Sequence, residues 1–142
     1  MIGSSQNARF AACGIPGLHL AEAISSGLGA RGISASAPEP WRFGYRVCCR
    51  AGEHELEITV EADGGEATLQ VAPTRVVGIG ERLRTAQHPC AAACYRVAAV
   101  VHLVLAADVR CAAVRWRWDG PARDDDAPYP LTLSSIHATI AT

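Results

Sequence analysis

Residues 41–72 constrain the fold more than any other part of the chain, because apolar and charged residues alternate there around two turn signals. A side-chain period of two is that of a strand with one face buried and one in water. A two-residue turn at Ala51-Gly52 sets the expected register of the first hairpin. Arg50 then faces Glu53, Cys49 faces His54, Cys48 faces Glu55, and Val47 faces Leu56. Arg46 faces Glu57, Tyr45 faces Ile58, and Phe43 faces Val60. Gly64-Gly65 supplies the positive φ of a second tight hairpin. It places Ala62 opposite Ala67, Val60 opposite Leu69 and Ile58 opposite Val71. Both turns therefore predict the same buried face. The opposite-charge pairs on the other face each add about 0.2–1 kcal/mol and oppose a one-residue slip.

Helices flank this meander. Residues 15–33 carry Leu20, Ile24 and Leu28 four apart, a single apolar stripe. Pro16 suits a helix start and Gly32 the left-handed C-terminal cap, with Ile33 folding back on the last turn. Gly27 and Gly29 weaken this helix but permit close approach of a neighbour. A second helix is expected from Pro89 to about Ala107, with Val97, Val101, Val104 and Leu105 as its core stripe. Val100 and Leu103 widen the stripe almost all the way round. Such a helix is expected between the sheet and the first helix, or in a homo-oligomer contact over residues 89–107. Residues 111–118 read as a fourth strand, with Val114, Trp116 and Trp118 on one side and Arg115 and Arg117 on the other. Residues 1–14 read as a loose lead-in and 34–40 as a linker. Residues 119–142 read as a tail or an extra edge strand, and 73–89 as a long connection with a helical turn near Glu81.

Length and charge bound the function. The 142 residues suit one domain spanning the whole chain. A net charge of −1 gives no field for holding nucleic acid or an anionic membrane. All 13 basic residues are Arg, whose planar fork suits carboxylates. The first ten residues lack the basic start and apolar run of an export signal, so a cytoplasmic location with reduced cysteines is expected. The apolar stretch at 90–107 is broken by Arg96 and His102 and reads as a buried helix, not a membrane span.

The chemical motifs each meet a simpler explanation. His88, Cys90 and Cys94 offer soft ligands for zinc, but they lack a fourth ligand and a Cys-x-x-Cys pair; helix packing accounts for the thiols. Cys49 and His54 would make a thiol–imidazole pair, yet no carboxylate on that face orients the base. Gly78-x-Gly80 lacks the third Gly and the Lys of a phosphate loop. Asp124, Asp125 and Asp126 are adjacent and cannot converge on one cation unaided. Alternation on a strand separates Trp116 and Trp118 from Arg115 and Arg117, which argues against a base-stacking surface. No catalytic, cofactor or metal residue is assigned, and the protein is expected not to be an enzyme.

The most distinctive surface is the outward sheet face. Arg46, Arg50, Glu53, Glu55, Glu57 and Glu61 are expected on it, with Arg115 and Arg117, and with Arg82 and Arg84 from the long connection. Mixed charge of this kind sets partner choice and association rate at protein interfaces.

The layout also carries a resemblance. A helix closing in Ala30-Arg31-Gly32-Ile33 is followed by a Pro38-Glu39-Pro40-Trp41 loop and a strand opening Trp41-x-Phe43-Gly44-Tyr45. A meander, a long helix and an Arg-Trp strand complete it. Over residues 15–118 this resembles small bacterial α+β proteins, among them immunity proteins of polymorphic toxin systems and other compact inhibitors. The resemblance implies a small protein that neutralises another protein, in a toxin-immunity or phage anti-defence role, and it carries no site residue. The expectation is an α+β two-layer sandwich: an antiparallel meander against two helices, in the order α-β-β-β-α-β. Its function is protein binding without catalysis. The alternative is a small-ligand or enzymatic pocket under the 73–89 loop, with His54, His88 and Glu81 as first candidates.

Overall fold

The computed structural model describes residues 5–63, 65–74, 88–132 and 134–135. It is an α+β sandwich in which two helices cover one face of an antiparallel sheet. The elements are β1 (Gln6–Ala12), α1 (Gly17–Ala30), β2 (Ser34–Ala35), β3 (Glu39–Trp41), β4 (Gly44–Ala51), β5 (His54–Asp63), β6 (Glu66–Pro73), α2 (His88–Ala106) and β7 (Cys111–Trp118). The sheet order is β2-β4-β5-β6-β1-β7, with β3 also on the outer edge of β4.

The second hairpin has the register expected from Gly64-Gly65, with Ala62 opposite Ala67, Val60 opposite Leu69 and Ile58 opposite Val71. The first is displaced. Its turn residues are Gly52-Glu53, so Ala51 faces His54, Cys49 faces Leu56, Val47 faces Ile58 and Tyr45 faces Val60. Gly52, at φ +64°, fills the first central position, which is where a type II′ turn needs positive φ. Each partner moves by two residues, and a shift of two preserves the face. The burial pattern therefore survives: Val47, Leu56, Ile58, Val60, Leu69 and Val71 are all buried.

Two segments read as irregular supply three strands. Residues 6–12 form β1, a central strand paired with both β6 and β7, not a loose lead-in. Ala8, Phe10 and Ala12 alternate onto the buried face, but two of these side chains are too small to raise an apolar signal. The supposed linker at 34–40 supplies β2 and β3, which pair with the two ends of β4. Phe43 is not a strand residue opposite Val60. It occupies a two-residue turn with Arg42 and is 91% exposed.

α1 lies over β2, β4 and β5, while α2 lies chiefly over β6 and β7 and also touches β1, β4 and β5, and the two helices touch side by side. α2 is thus not sandwiched between the sheet and α1. Val97, Val101 and Leu105 are buried, whereas Leu103 is 51% exposed. Gly27 marks the helix contact: a Cβ added there would lie 2.3 Å from Val104 Cγ2. Gly29 meets nothing and needs no such explanation. α1 ends as expected. Gly32 has φ +79°, Ile33 N–H donates to the Leu28 carbonyl at 3.0 Å, and Gly32 N–H donates to that of Gly29 at 3.1 Å. These two bonds make a Schellman cap, and the buried Leu28 and Ile33 supply its apolar contact.

β7 matches its expected span. Trp116 and Trp118 are buried; the Trp118 indole N–H has no hydrogen-bond partner among the described residues. A bulge with Ala113 at φ +54° breaks the register against β1. Beyond β7 the chain does not add an edge strand within the described residues. It makes a single bridge, where Trp116 N–H donates to the Ala127 carbonyl at 2.7 Å. The segment then returns to the helix side. The fully buried Gln6 amide donates to the Leu131 carbonyl (2.8 Å) and accepts from its N–H (3.1 Å). The helical turn expected near Glu81 and the end of the expected tail or edge strand, 136–142, lie outside the described residues. No helix among the described residues is long and apolar enough to cross a membrane.

Candidate functional site

The alternation that buries one sheet face delivers the charges to the other, which no helix covers among the described residues. The outer face carries two hollows. At one end residues 120–122 fold over β1 and β7, burying Ala122 and the outward Asn7. At the other, the β3–β4 hairpin raises Trp41 and Arg42. Between these lips lies a trough of about 640 Å³ with Thr59, Thr68, Gln70, Glu57, Glu61 and Glu66 along it. A second, more open hollow of about 570 Å³ adjoins it, lined by Arg46, Cys48, Arg50, Glu55, Glu57 and the β2 edge.

Three cations of this face, Arg9, Arg46 and Arg117, are held by carboxylates, whereas Arg42, Arg50 and Arg115 have no carboxylate partner among the described residues. Arg46 Nε donates to Glu39 at 2.7 Å, and the same guanidinium lies 3.5 Å from Glu57. The Arg46–Glu57 pair expected from sequence therefore forms, although diagonally, since Thr59 is the residue directly opposite Arg46. The expected Arg50–Glu53 pairing does not; Arg50 faces Glu55. Arg9 pairs with Glu66 and lies 3.7 Å from Asp124, and Arg117 lies 3.8 Å from Asp126. The hydrogen bonds that Arg46 and Arg9 donate to Glu39 and Glu66 raise the pKa values of these guanidinium groups. Arg46 also sits 3.9 Å from the centre of the Trp41 ring, with Arg42 at 5.6 Å. Exposed ion pairs contribute little stability, but they fix where each charge is presented.

Of the residues singled out by sequence, Arg46, Arg50, Glu55 and Glu57 come together around the second hollow. Glu53 is exposed in the β4–β5 turn. Arg115 and Arg117 share the outer face but lie on β7, beyond β6 and β1. Arg82 and Arg84 lie outside the described residues. Sequence reading missed Arg9, because β1 went unrecognised, and the Arg42-Phe43 tip, because that turn lacks the Gly or Asn that signals a hairpin.

The nucleophile alternative loses its geometry. Cys49 faces Leu56, not His54, and burial pushes its thiol up to about 11, with the neighbouring Cys48 adding to the shift. A thiol so displaced is not thiolate near neutral pH. No cluster of three potential metal ligands occurs among the described residues. Of the pocket residues proposed with the 73–89 loop, His54 is half-buried at the start of β5, His88 opens α2, and Glu81 lies outside the described residues. Comparison with protein-family models, with curated proteins and with solved structures finds no match for this chain.

Proposed function

We propose that this chain is a non-enzymatic protein-binding module that engages its partner through the open face of the sheet, as a small inhibitor or immunity-type protein would. One observation carries the reading: among the described residues the helices lie on a single face of the sheet, leaving the other as a concave, charge-patterned surface. Its shape comes from strand backbones, and three of its arginines, Arg9, Arg46 and Arg117, are held by neighbouring carboxylates before any partner arrives. Preorganisation of this kind lowers the ordering cost of association and favours specificity.

The test is affinity capture from a native lysate with three baits: the wild-type chain, an outer-face variant (Glu55→Arg with Glu61→Arg), and a helix-face variant (Leu103→Glu). Both altered carboxylates are exposed and have no ion-pair partner among the described residues. The expected result is a protein retained by wild type and the helix-face variant and lost from the outer-face variant. Capture indifferent to the outer-face charges refutes the reading. So does the absence of any protein partner together with a small molecule that raises the melting temperature.

A further inference from the structure

The β3–β4 hairpin breaks two local rules at once. A two-residue hairpin turn wants positive φ at its first central position, where Gly, Asn or Asp normally sits. The neighbouring β4–β5 turn obeys with Gly52 at φ +64°. The β3–β4 turn instead holds Arg42 at φ +52°. The next residue, Phe43, leaves 91% of its surface in water, the most exposed aromatic ring among the described residues. The tip is also held firmly. Trp41 pairs with Gly44, and a Cβ at Gly44 would lie 1.9 Å from the Val60 carbonyl oxygen, so the hairpin base sits directly on the β5 backbone. Local rules broken without a folding benefit mark positions kept for function.

The side chains indicate what such a tip would meet. Arg42, like Arg50 and Arg115, has no carboxylate partner among the described residues, whereas Arg9, Arg46 and Arg117 each have one. Of these three unpaired cations, only Arg42 stands beside an exposed aromatic ring. An aromatic ring in water next to an uncompensated guanidinium matches an apolar pocket with carboxylates on its rim. Trp, Tyr and Arg dominate binding energy when seated in such pockets. A membrane is disfavoured, because the adjoining trough sets Glu57, Glu61 and Glu66 against Arg9 and Arg42 and so offers no basic cluster to an anionic lipid surface.

We infer that the Arg42-Phe43 tip is the anchor of the interface, with Phe43 inserting into an acid-rimmed apolar pocket of a partner protein while the trough face settles against the surrounding surface. This rests on the protein-binding reading above.

The experiment uses the full chain carrying a photo-reactive benzophenone side chain at position 43, with a parallel chain labelled at Val109, which is 98% exposed. Both are irradiated in native lysate beside lipid vesicles of phosphatidylcholine and phosphatidylglycerol. The cross-linked protein is identified, purified and titrated with wild type, Phe43→Ser and Arg42→Glu. The expected result is one protein cross-linked from position 43 and not from 109. Phe43→Ser should weaken its binding about 30-fold, the loss typical of truncating a buried aromatic anchor. Arg42→Glu should weaken it at least about 10-fold and reduce its salt dependence. A partner lost on reversing Glu55 and Glu61 but indifferent to Phe43 overturns the anchor and leaves the sheet-face reading standing. Phe43-dependent binding to vesicles, with no protein cross-linked, overturns the anchor in favour of a lipid surface. No protein partner from any bait overturns both.

Discussion

Replacing Gly27 by Ala tests whether α1 and α2 meet as closely as described. In an exposed helix the change would stabilise by about 1 kcal/mol, because Gly is a poor helix former. Here the new methyl would lie 2.3 Å from Val104 Cγ2, whereas carbon atoms pack at about 3.5–4.0 Å. One group must therefore retreat by more than about 1 Å. Val104 cannot simply rotate away, since a β-branched residue within a helix has one strongly preferred rotamer. The helices must separate, and overpacking of this kind costs about 1–3 kcal/mol. The net expectation for Gly27→Ala is a loss of about 0–2 kcal/mol. Val104→Ala removes the obstructing methyl, and in that background the same Gly27→Ala change should stabilise by about 1 kcal/mol. The reversal of sign is the signature, with a coupling of about 1–3 kcal/mol in the double-mutant cycle. Urea unfolding of the four proteins, with unchanged m-values, measures it. Equal stabilisation by Gly27→Ala in both backgrounds would show that the helices do not touch there.

Other substitutions address the site and its support. Gly44→Ala forces a methyl into the Val60 carbonyl, an immovable backbone atom, and should cost about 3 kcal/mol by thermal or urea unfolding. Arg42→Gly should raise stability by about 1 kcal/mol, because it relieves a left-handed non-glycine residue; a fall in melting temperature would contradict the described turn. Gln6→Ala leaves both backbone groups of Leu131 without their buried partner and should cost about 2–4 kcal/mol, with proteolytic cleavage appearing after residue 127. His102 accepts from Trp116 Nε1 through Nδ1 at 3.1 Å, and burial lowers its pKa below the ordinary 6.5. The unfolded chain therefore binds this proton first. Its contribution is complete above pH 6.5 and lost as pH falls below that value; His102→Gln should flatten that part of the stability profile.

The meander shows what alternation alone can determine. The strand residues 45–50 and 54–60 kept their expected faces even though the first hairpin paired two positions away from its expected register. Period-two patterning specifies the face, whereas the partner depends on which residues turn, and Gly52 serves as well at the start of a turn as at its end. Leu28, Gly32 and Ile33 were equally legible, because a helix stripe and its cap lie within a few residues of one another. The charge pattern of the outer face was legible for the same reason, since residues excluded from the core must take the other side.

Tertiary structure decided the rest. β1 has no strand signal of its own beyond Ala8, Phe10 and Ala12, and it becomes a central strand only because β6 and β7 supply hydrogen bonds on both sides. β2 and β3 are too short to exist without β4. The trough requires β1, the fold-over at 120–122 and the β3–β4 hairpin, segments far apart in the chain. Sequence determined which side chains face water, because that is a local periodicity. Only the assembled sheet determined which of them stand together, because strand neighbours are chosen by pairing across the whole molecule.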